Sequence, residues 1–259
     1  LVKVMSSMMK DAKARQRAGT APSLFTSLKS GMQALPDALA AKLSDHLVPG
    51  QRVKEISKTS EGWWVDGKSF DQVIVALPAR QAADLFESLD PELSILLEKQ
   101  ETSSSATLSL IFNREDLTEI PSGFGFMSSH PLKSLLVGCT WTGVKFAGRE
   151  SKERFVCRLF LGGPYAKDAI ENKNEDLLIQ PALRALREIC PFIPEKPLHH
   201  WLQFWPYGNP GYQLGHLEWV KELKSRTVKL GGIHLTGSSY EGVSVSDCIK
   251  QAQELSKQF

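Results

Sequence analysis

Cysteine is scarce in this 259-residue sequence, and its four copies do not follow the spacings of metal sites or disulfide frameworks. No two cysteines form a Cys-x-x-Cys pair, so neither a zinc site nor a disulfide-stapled fold is indicated. The expectation is a protein with reduced, buried thiols, as is usual in the cytosol. The four positions are Cys139, Cys157, Cys190 and Cys248.

An excess of charge of one sign and long apolar runs are also absent. The chain carries 31 lysines and arginines against 29 aspartates and glutamates, which gives a net charge of +2. Without a basic patch interleaved with aromatic residues, this balance argues against a nucleic-acid-binding protein. No apolar run is long enough to span a bilayer, and residues 1–17 lack the apolar core of a signal peptide.

Residues 1 to about 18 have the pattern of a basic helix. Two interpretations are open: a solvated helix face, and a contact with anionic lipid. The protein is therefore predicted to be cytoplasmic or peripherally attached to a membrane, and to lie in an organelle if its source is eukaryotic.

The common signatures of phosphate binding and nucleophilic catalysis are missing as well. The sequence has no P-loop, no Gly-x-Ser-x-Gly and no Gly-x-Gly-x-x-Gly. The histidines follow no metal-ligand pattern, and structural roles are expected for them. His199 and His200 are adjacent and would point to opposite faces of a strand, whereas His216 and His234 stand alone. No catalytic side chain is assigned.

The hydrophobic content of 42% supports a large core in two lobes. At the start, leucines recur on one face of a predicted helix at 35–43, Asp66-Gly67 marks a hairpin turn, and "VIVALP" at 73–78 predicts a strand covered on both faces. The middle contains short strand patterns, such as the alternating "RFVCRLFL" at 154–161, interrupted by one helix at about 168–190. This middle part predicts a large antiparallel sheet.

The end of the chain returns to a strand, a turn and a helix, in "GIHLTGSSYEGVSVSDCIKQA". Gly237 and Gly242 lie where the strand gives way to the helix, with Tyr240 between them as an aromatic of the exposed type. Free N–H groups at a helix start, next to glycines, suit an anion or an electron-rich ring edge. Ordinary turn chemistry is the alternative, with Ser246 and Asp247 as capping or first-turn residues that need no ligand.

Four segments resemble, in the family's order, the flavin-dependent protoporphyrinogen oxidases of the amine-oxidase-like superfamily. They cover nearly the whole chain from about Ser27 onward. The most specific strings are "YQLGH" at 212–216 and "SYEGV" at 239–243. The segments are "SLKSGMQALPDALAAKL", "VIVALPA", "GFGFM…LLVGCTW…RLFLGG" and "PGYQLGHLEW…HLTGSSYEGVSVSDCI".

This resemblance implies FAD as the cofactor and a porphyrinogen as the substrate. The implied chemistry is repeated two-electron oxidation of the porphyrinogen, with oxygen re-oxidising the flavin. The implied roles are a backbone contact to the adenine side of FAD by Val53, packing on the isoalloxazine by Ser238, Val243, Ser244 and Val245, and a sandwich around the tetrapyrrole by Phe124 and Met127. On pattern alone, core packing is the favoured interpretation of Phe124 and Met127, and contact with a flat apolar molecule is the alternative.

The chain departs from the family because the N-terminal strand, Gly-x-Gly-x-x-Gly and helix are not in it. It is therefore expected to be a C-terminal portion, whose partners are a porphyrinogen, the N-terminal FAD-binding half and, by the resemblance, a peripheral membrane and a second copy in a homodimer.

The fold class is α/β (α+β), with an incomplete FAD-binding Rossmann-like domain that brackets an inserted antiparallel sheet. The predicted domains are 1–27, from a helical membrane-associating lobe; 28–78, an FAD-domain part; 79–215, the substrate sheet; and 216–259, the C-terminal FAD-domain strand and helix.

Three alternatives stay open. The substrate is coproporphyrinogen instead of protoporphyrinogen; the protein is an amine oxidase or carotenoid desaturase relative, which "YQLGH" and "SSYEGV" argue against; or the chain is a non-catalytic porphyrin-binding or interaction fragment. Arg158 is interpreted as a charged residue on the solvent face of a strand, with a pairing to a substrate propionate as the alternative.

Overall fold

The computed structural model describes residues 26–129 and 134–259, so the predicted basic helix at 1–18 lies outside the described residues. The strands are β1 (Ile56–Lys58), β2 (Trp63–Val65), β3 (Lys68–Phe70), β4 (Val73–Val75), β5 (Thr102–Asn113), β6 (Gly125–Met127), β7 (Leu136–Trp141), β8 (Arg154–Leu161), β9 (His199–Pro210) and β10 (Ile233–Leu235). The helices are α1 (Ala34–Lys42), α2 (Ala79–Phe86), α3 (Pro91–Glu98), α4 (Thr142–Lys145), α5 (Pro164–Glu171), α6 (Ile179–Ile189), α7 (His216–Leu230) and α8 (Val245–Leu255).

The chain forms two compact units, each built from two separate segments. The first unit contains the described residues up to Val48 together with 106–203, and the second contains 49–105 together with 204–259. The binding roles and boundaries assigned above to individual domains stay predictions.

An antiparallel sheet dominates the first unit, with the strand order β6-β7-β8-β5-β9. Strand β8 alternates as its sequence predicts, because Phe155, Cys157, Leu159 and Leu161 are all buried on one face. The predicted single helix at 168–190 is wrong in one respect. It is two helices, α5 and α6, because the polar stretch after α5 turns the chain, with Lys173 at a φ of 53°.

The second unit joins segments that lie far apart in the sequence. Strands β4 and β10 pair in parallel, with Val73 opposite Ile233 and Val75 opposite Leu235. A single apolar core packs around this pair and includes Trp63, Phe86, Leu93, Leu97 and Leu223. The parallel pair, made from both ends of the chain, and the antiparallel sheet of the first unit confirm the predicted α/β (α+β) class.

The predicted covering of the "VIVALP" strand on both faces is wrong. Ile74 of β4 is 49% exposed and Leu77 is 39% exposed, so the "VIVALP" strand is covered on one face only within the described chain. Helix α1 forms where the sequence predicts it, but none of its residues is buried. Both segments carry apolar side chains for which no cover is found among the described residues.

The hairpin turn predicted from Asp66-Gly67 is confirmed. Asp66 and Gly67 adopt positive φ values of 41° and 89° in the antiparallel β2–β3 hairpin. All four cysteines are free, three of them are buried, and burial raises the pKa of the Cys190 thiol to about 11. In the described ranges no helix has the length and apolar content to cross a membrane, and no cluster of side chains is suited to hold a metal ion.

Candidate functional site

The segment that links β10 to α8, residues 237–244, forms a turn that we call the glycine turn. Gly237 and Gly242 have φ values of 120° and 111°, a region that residues with a side chain rarely adopt. The space around Gly237 is open, whereas a Cβ at Gly242 would lie 2.6 Å from the Cβ of Asp247. The turn follows the carboxyl end of a parallel strand, which is where open α/β sheets bind ligands.

Two side chains bridge across the glycine turn. The Tyr212 hydroxyl accepts a hydrogen bond from the Gly242 N–H (2.8 Å) and donates one to the Ser238 carbonyl (2.7 Å). The Gln251 amide accepts from the Gly237 N–H (3.2 Å) and donates to the Glu241 carbonyl (3.2 Å). Partial burial raises the pKa of Tyr212, so its hydroxyl keeps its proton at neutral pH.

The middle of the turn is anchored in the core of the second unit. The Ser239 hydroxyl accepts from the Ala79 N–H (3.0 Å), and the Ser239 carbonyl accepts from the Gln100 amide (2.6 Å). His216 donates from its Nε2 to the Tyr240 carbonyl (2.7 Å), which gives this histidine the structural role expected of it. The backbone of the turn is therefore held at Ser239 by Ala79 and Gln100, and at Tyr240 by His216.

Tyr240 is not the exposed aromatic that the sequence suggests. It is only 4% exposed, and its ring stacks on Trp219 of α7 at 10° between planes. Its hydroxyl finds no partner among the described residues, and burial raises its pKa. The small-residue sequence around it does not indicate this burial, because the covering ring comes from another element.

Helix α8 begins with a capping box. Ser244 is the N-cap, and its hydroxyl accepts from the Asp247 N–H (3.0 Å), while the Asp247 carboxylate accepts from the Ser244 N–H (3.1 Å). The predicted Ser246-Asp247 pair therefore supplies one first-turn partner, Asp247, and not the cap itself. The Ser244 side chain and backbone hold the pKa of Asp247 below its ordinary value. This carboxylate also neutralises part of the positive potential of the helix end.

The lowered pKa of Asp247 gives an expected pH dependence of stability. The interaction stabilises the folded chain above the unfolded carboxyl pKa of about 4 and is lost as the pH falls through the lower folded value. We expect Asp247→Asn to lower the Tm at pH 7 and to approach the wild-type Tm at pH 3. Thermal denaturation across this range measures the difference. An equal loss at both pH values would contradict the ionic role of Asp247, and Asp71→Asn, an exposed carboxylate of the same unit, is the control.

Five N–H groups of residues 237–245 remain without an acceptor in the described chain, and the Ser244 N–H is taken by Asp247. The five belong to Ser238, Ser239, Glu241, Val243 and Val245. Val243 and Val245 are 60% and 52% exposed. Of the five, we call the N–H groups of Ser238, Val243 and Val245 the donor row. Free backbone donors in a turn with open space at Gly237 are compatible with an acceptor-rich heterocycle such as a flavin.

Val53 lies in the wall of an open cleft of about 1070 Å³ in the second unit, together with Arg52, Phe70, Ile74 and Leu77. Neither its N–H nor its carbonyl is bonded within the described residues, although the next two N–H groups, of Lys54 and Glu55, both donate to Asp66. Val53 therefore offers a free donor and a free acceptor beside an apolar wall, which suits the edge of an adenine.

Phe124 and Met127 lie at strand β6 of the first unit, and they are 49% and 78% exposed. Met127 is opposite Gly138, which in turn lies beside Phe160. A Cβ at Gly138 would approach the Met127 sulfur to 3.2 Å, so the glycine lets this side chain lie flat across the strand. Met127 and Phe160 are therefore exposed on the same face of the sheet, and Phe160 is a residue that the sequence does not single out.

The predicted site residues thus fall into the two units. Ser238, Val243, Ser244 and Val245 are together at the glycine turn, Val53 lines the cleft of the same unit, and Phe124 and Met127 belong to the first unit. Tyr212 and Gln251 contact the turn, although the sequence assigns a role to neither. One signal in the sequence could have pointed to Tyr212. It is the "YQLGH" string, which carries the resemblance to the family and contains Tyr212 and His216.

Comparisons with known proteins show which proteins this chain resembles. The chain is 26% identical over 236 residues to the coproporphyrinogen III oxidase of Bacillus subtilis and 28% identical over 245 residues to the protoporphyrinogen oxidase of Bos taurus, in each case over 88% of this chain. A solved structure from Exiguobacterium sp. 255-15, provisionally assigned as a protoporphyrinogen oxidase, superposes with a TM-score of 0.72 at 24% identity, over 94% of this chain and 56% of that one. The structural likeness shows a shared fold.

The chain spans about half the length of the curated relatives it matches, 49% of the bacterial and 50% of the bovine protein. The profile of one family, described as flavin containing amine oxidoreductase, matches residues 5–258. The predicted resemblance and the predicted flavin cofactor, FAD, are confirmed at the level of that family. From the match over nearly its full length, the chain belongs to the flavin containing amine oxidoreductases.

Proposed function

We propose that this chain is the C-terminal part of an FAD-dependent enzyme that oxidises protoporphyrinogen to protoporphyrin with oxygen as the electron acceptor. The observation that supports this most is the glycine turn, in which the N–H groups of Ser238, Val243 and Val245 have no acceptor among the described residues. Relatives named for porphyrinogen oxidation, at 26% and 28% identity, supply the substrate class.

The residues of the turn bind by their backbone. The N–H groups of Ser238, Val243 and Val245 would donate to acceptor atoms of the flavin, and the open space at Gly237 would leave room for it. The Val53 N–H and carbonyl would hold the adenine at the cleft. When bound, FAD supplies the acceptor for two electrons per oxidation step. Because Asp247 neutralises part of the helix end, the fixed N–H groups contribute more to binding than the helix dipole does.

The substrate contact is assigned to Phe124 and Met127 at β6 of the first unit. Phe124 and Met127 present an aromatic ring and a thioether that pack on a flat tetrapyrrole face. Arg158 keeps the solvent-face interpretation, because its guanidinium Nε donates to the Ser109 hydroxyl (3.1 Å) on the neighbouring strand. No acid or base is assigned, and the chain's role is to bind and orient.

A substrate panel tests the proposal. The complete protein, meaning this chain with an upstream FAD-binding half, is assayed for oxygen-dependent formation of fluorescent porphyrin from protoporphyrinogen and from coproporphyrinogen, and for oxidation of a primary amine. We expect protoporphyrinogen to have the higher kcat/KM. Preference for the amine would contradict the proposal. Preference for coproporphyrinogen would support the second candidate, which the name of the Bacillus subtilis relative favours.

Truncation of Phe124 tests the substrate contact. Phe124→Ala in the complete protein is expected to weaken porphyrin binding by about 1–3 kcal/mol, or roughly 5- to 150-fold, because one aromatic contact is lost. FAD content should hardly change. The control is Phe259→Ala, which removes a similarly exposed ring at the end of the other unit. An unchanged KM and inhibitor affinity would exclude Phe124 from the substrate site.

A further inference from the structure

We propose that Tyr212 and Gln251 are paired positioning residues, which fix the glycine turn in the one backbone arrangement that receives the flavin. The proposal rests on the proposed function, because it takes flavin as the group that meets the turn. It adds two side chains that touch the turn and not the cofactor, and it assigns the same task to both.

Each of the two side chains uses one donor and one acceptor to bridge the turn. Tyr212 joins the carbonyl of Ser238 to the N–H of Gly242, and Gln251 joins the N–H of Gly237 to the carbonyl of Glu241. The two braces thus span overlapping stretches of the turn, 238–242 and 237–241, from different parts of the chain. A backbone held at both ends in this way loses little entropy when a ligand binds.

The Tyr212 ring is itself held in place by the turn. It stacks on the His216 ring with 3.8 Å between centroids and 13° between planes. His216 in turn donates to the carbonyl of Tyr240, inside the turn. The contacts form a closed circuit from the turn to His216, to Tyr212 and back. Tyr212 therefore has little freedom to leave its two hydrogen bonds.

The braces decide which backbone groups stay available. They occupy the N–H groups of Gly237 and Gly242 and the carbonyls of Ser238 and Glu241, and they leave the N–H groups of Ser238, Val243 and Val245 open. Without the braces, the freed groups would compete for the same acceptors and the turn would sample other φ values at its glycines. The hydrogen bonds of Tyr212 and Gln251 therefore fix where the open N–H groups of the donor row lie.

Two variants with matched controls test this inference in the complete protein. Tyr212→Phe removes both bonds of the hydroxyl and keeps the stacked ring. Gln251→Glu keeps the acceptor for Gly237 and removes the donor to Glu241. The controls are Tyr165→Phe, an exposed tyrosine of the first unit, and Gln253→Glu, which adds the same charge on an exposed position of α8. The readouts are FAD affinity, the visible absorption spectrum of bound FAD and the Tm of the FAD-free protein.

We expect about tenfold weaker FAD binding in each brace variant, equal to about 1.4 kcal/mol, together with a shifted flavin spectrum that neither control shows. A lower Tm with unchanged FAD affinity and spectrum would overturn the inference, because the two residues would then be structural only. Unchanged affinity and spectrum in both variants would also overturn it while the proposed function stands. Absence of FAD binding by the wild-type complete protein would overturn the proposed function itself. If Tyr212→Phe fails to fold, Gln251→Glu decides alone.

Discussion

Gly242→Val is expected to empty the complete protein of FAD while the sheet of the first unit stays folded. The φ of 111° at this position is strained for any residue with a side chain. The added Cβ would also lie 2.6 Å from the Cβ and Cγ of Asp247 and 2.7 Å from its carboxylate oxygen, inside the capping box. Relief of the clash must move the start of α8 or break the bond to Tyr212, and either shift displaces the donor row. Flavin absorbance of the purified protein measures the loss.

The matched control is Gly148→Val in the first unit. Gly148 also has a positive φ, 79°, but no atom lies within 4 Å of its Cβ position, so the control carries strain without a clash. We expect it to retain FAD. If Gly242→Val remained fully loaded with flavin and active, the glycine turn would not be the flavin contact.

The 259-residue chain by itself is expected to bind FAD at best with micromolar affinity. It contains the glycine turn and Val53, but no Gly-x-Gly-x-x-Gly segment whose helix start would hold the pyrophosphate. Hydrogen bonds to charged groups contribute about 1.5–3 kcal/mol each, so the lack of roughly three costs about 4–9 kcal/mol, or three to six decades in affinity. The exposed Ile74 and Leu77 should also favour self-association.

A titration followed by flavin absorbance and fluorescence checks this expectation. It is made first on the chain alone and then after addition of an upstream FAD-binding half, which should restore tight binding. Tight, stoichiometric binding of FAD by the chain alone would contradict the interpretation of its two ends as parts of an incomplete FAD domain.

Local sequence signals predicted the elements well. The Asp66-Gly67 hairpin and the alternation in β8 follow from turn chemistry and from a period of two, both properties of neighbouring residues. Burial was harder to predict. The exposed face of Ile74 and the buried ring of Tyr240 depend on which distant element covers them, and a single sequence does not contain that information.

The candidate site was also predictable only in part. The two glycines and the start of the following helix are evident from neighbouring residues, and they were enough to predict the turn. The braces could not be found this way, because Tyr212 lies 30 residues from Gly242 and Gln251 lies 14 residues from Gly237. Only the folded second unit brings these groups within hydrogen-bonding distance of the turn.

Amide hydrogen exchange in the complete protein, with and without FAD, tests the central claim most directly. The claim is that the backbone of the glycine turn binds the flavin through N–H groups that are free in its absence. We expect FAD to slow exchange at Ser238, Val243 and Val245, and to change Gly237 and Gly242 less, since their N–H groups already bond to Gln251 and Tyr212. Unchanged exchange at Ser238, Val243 and Val245, with new protection only elsewhere in the chain, would contradict the account.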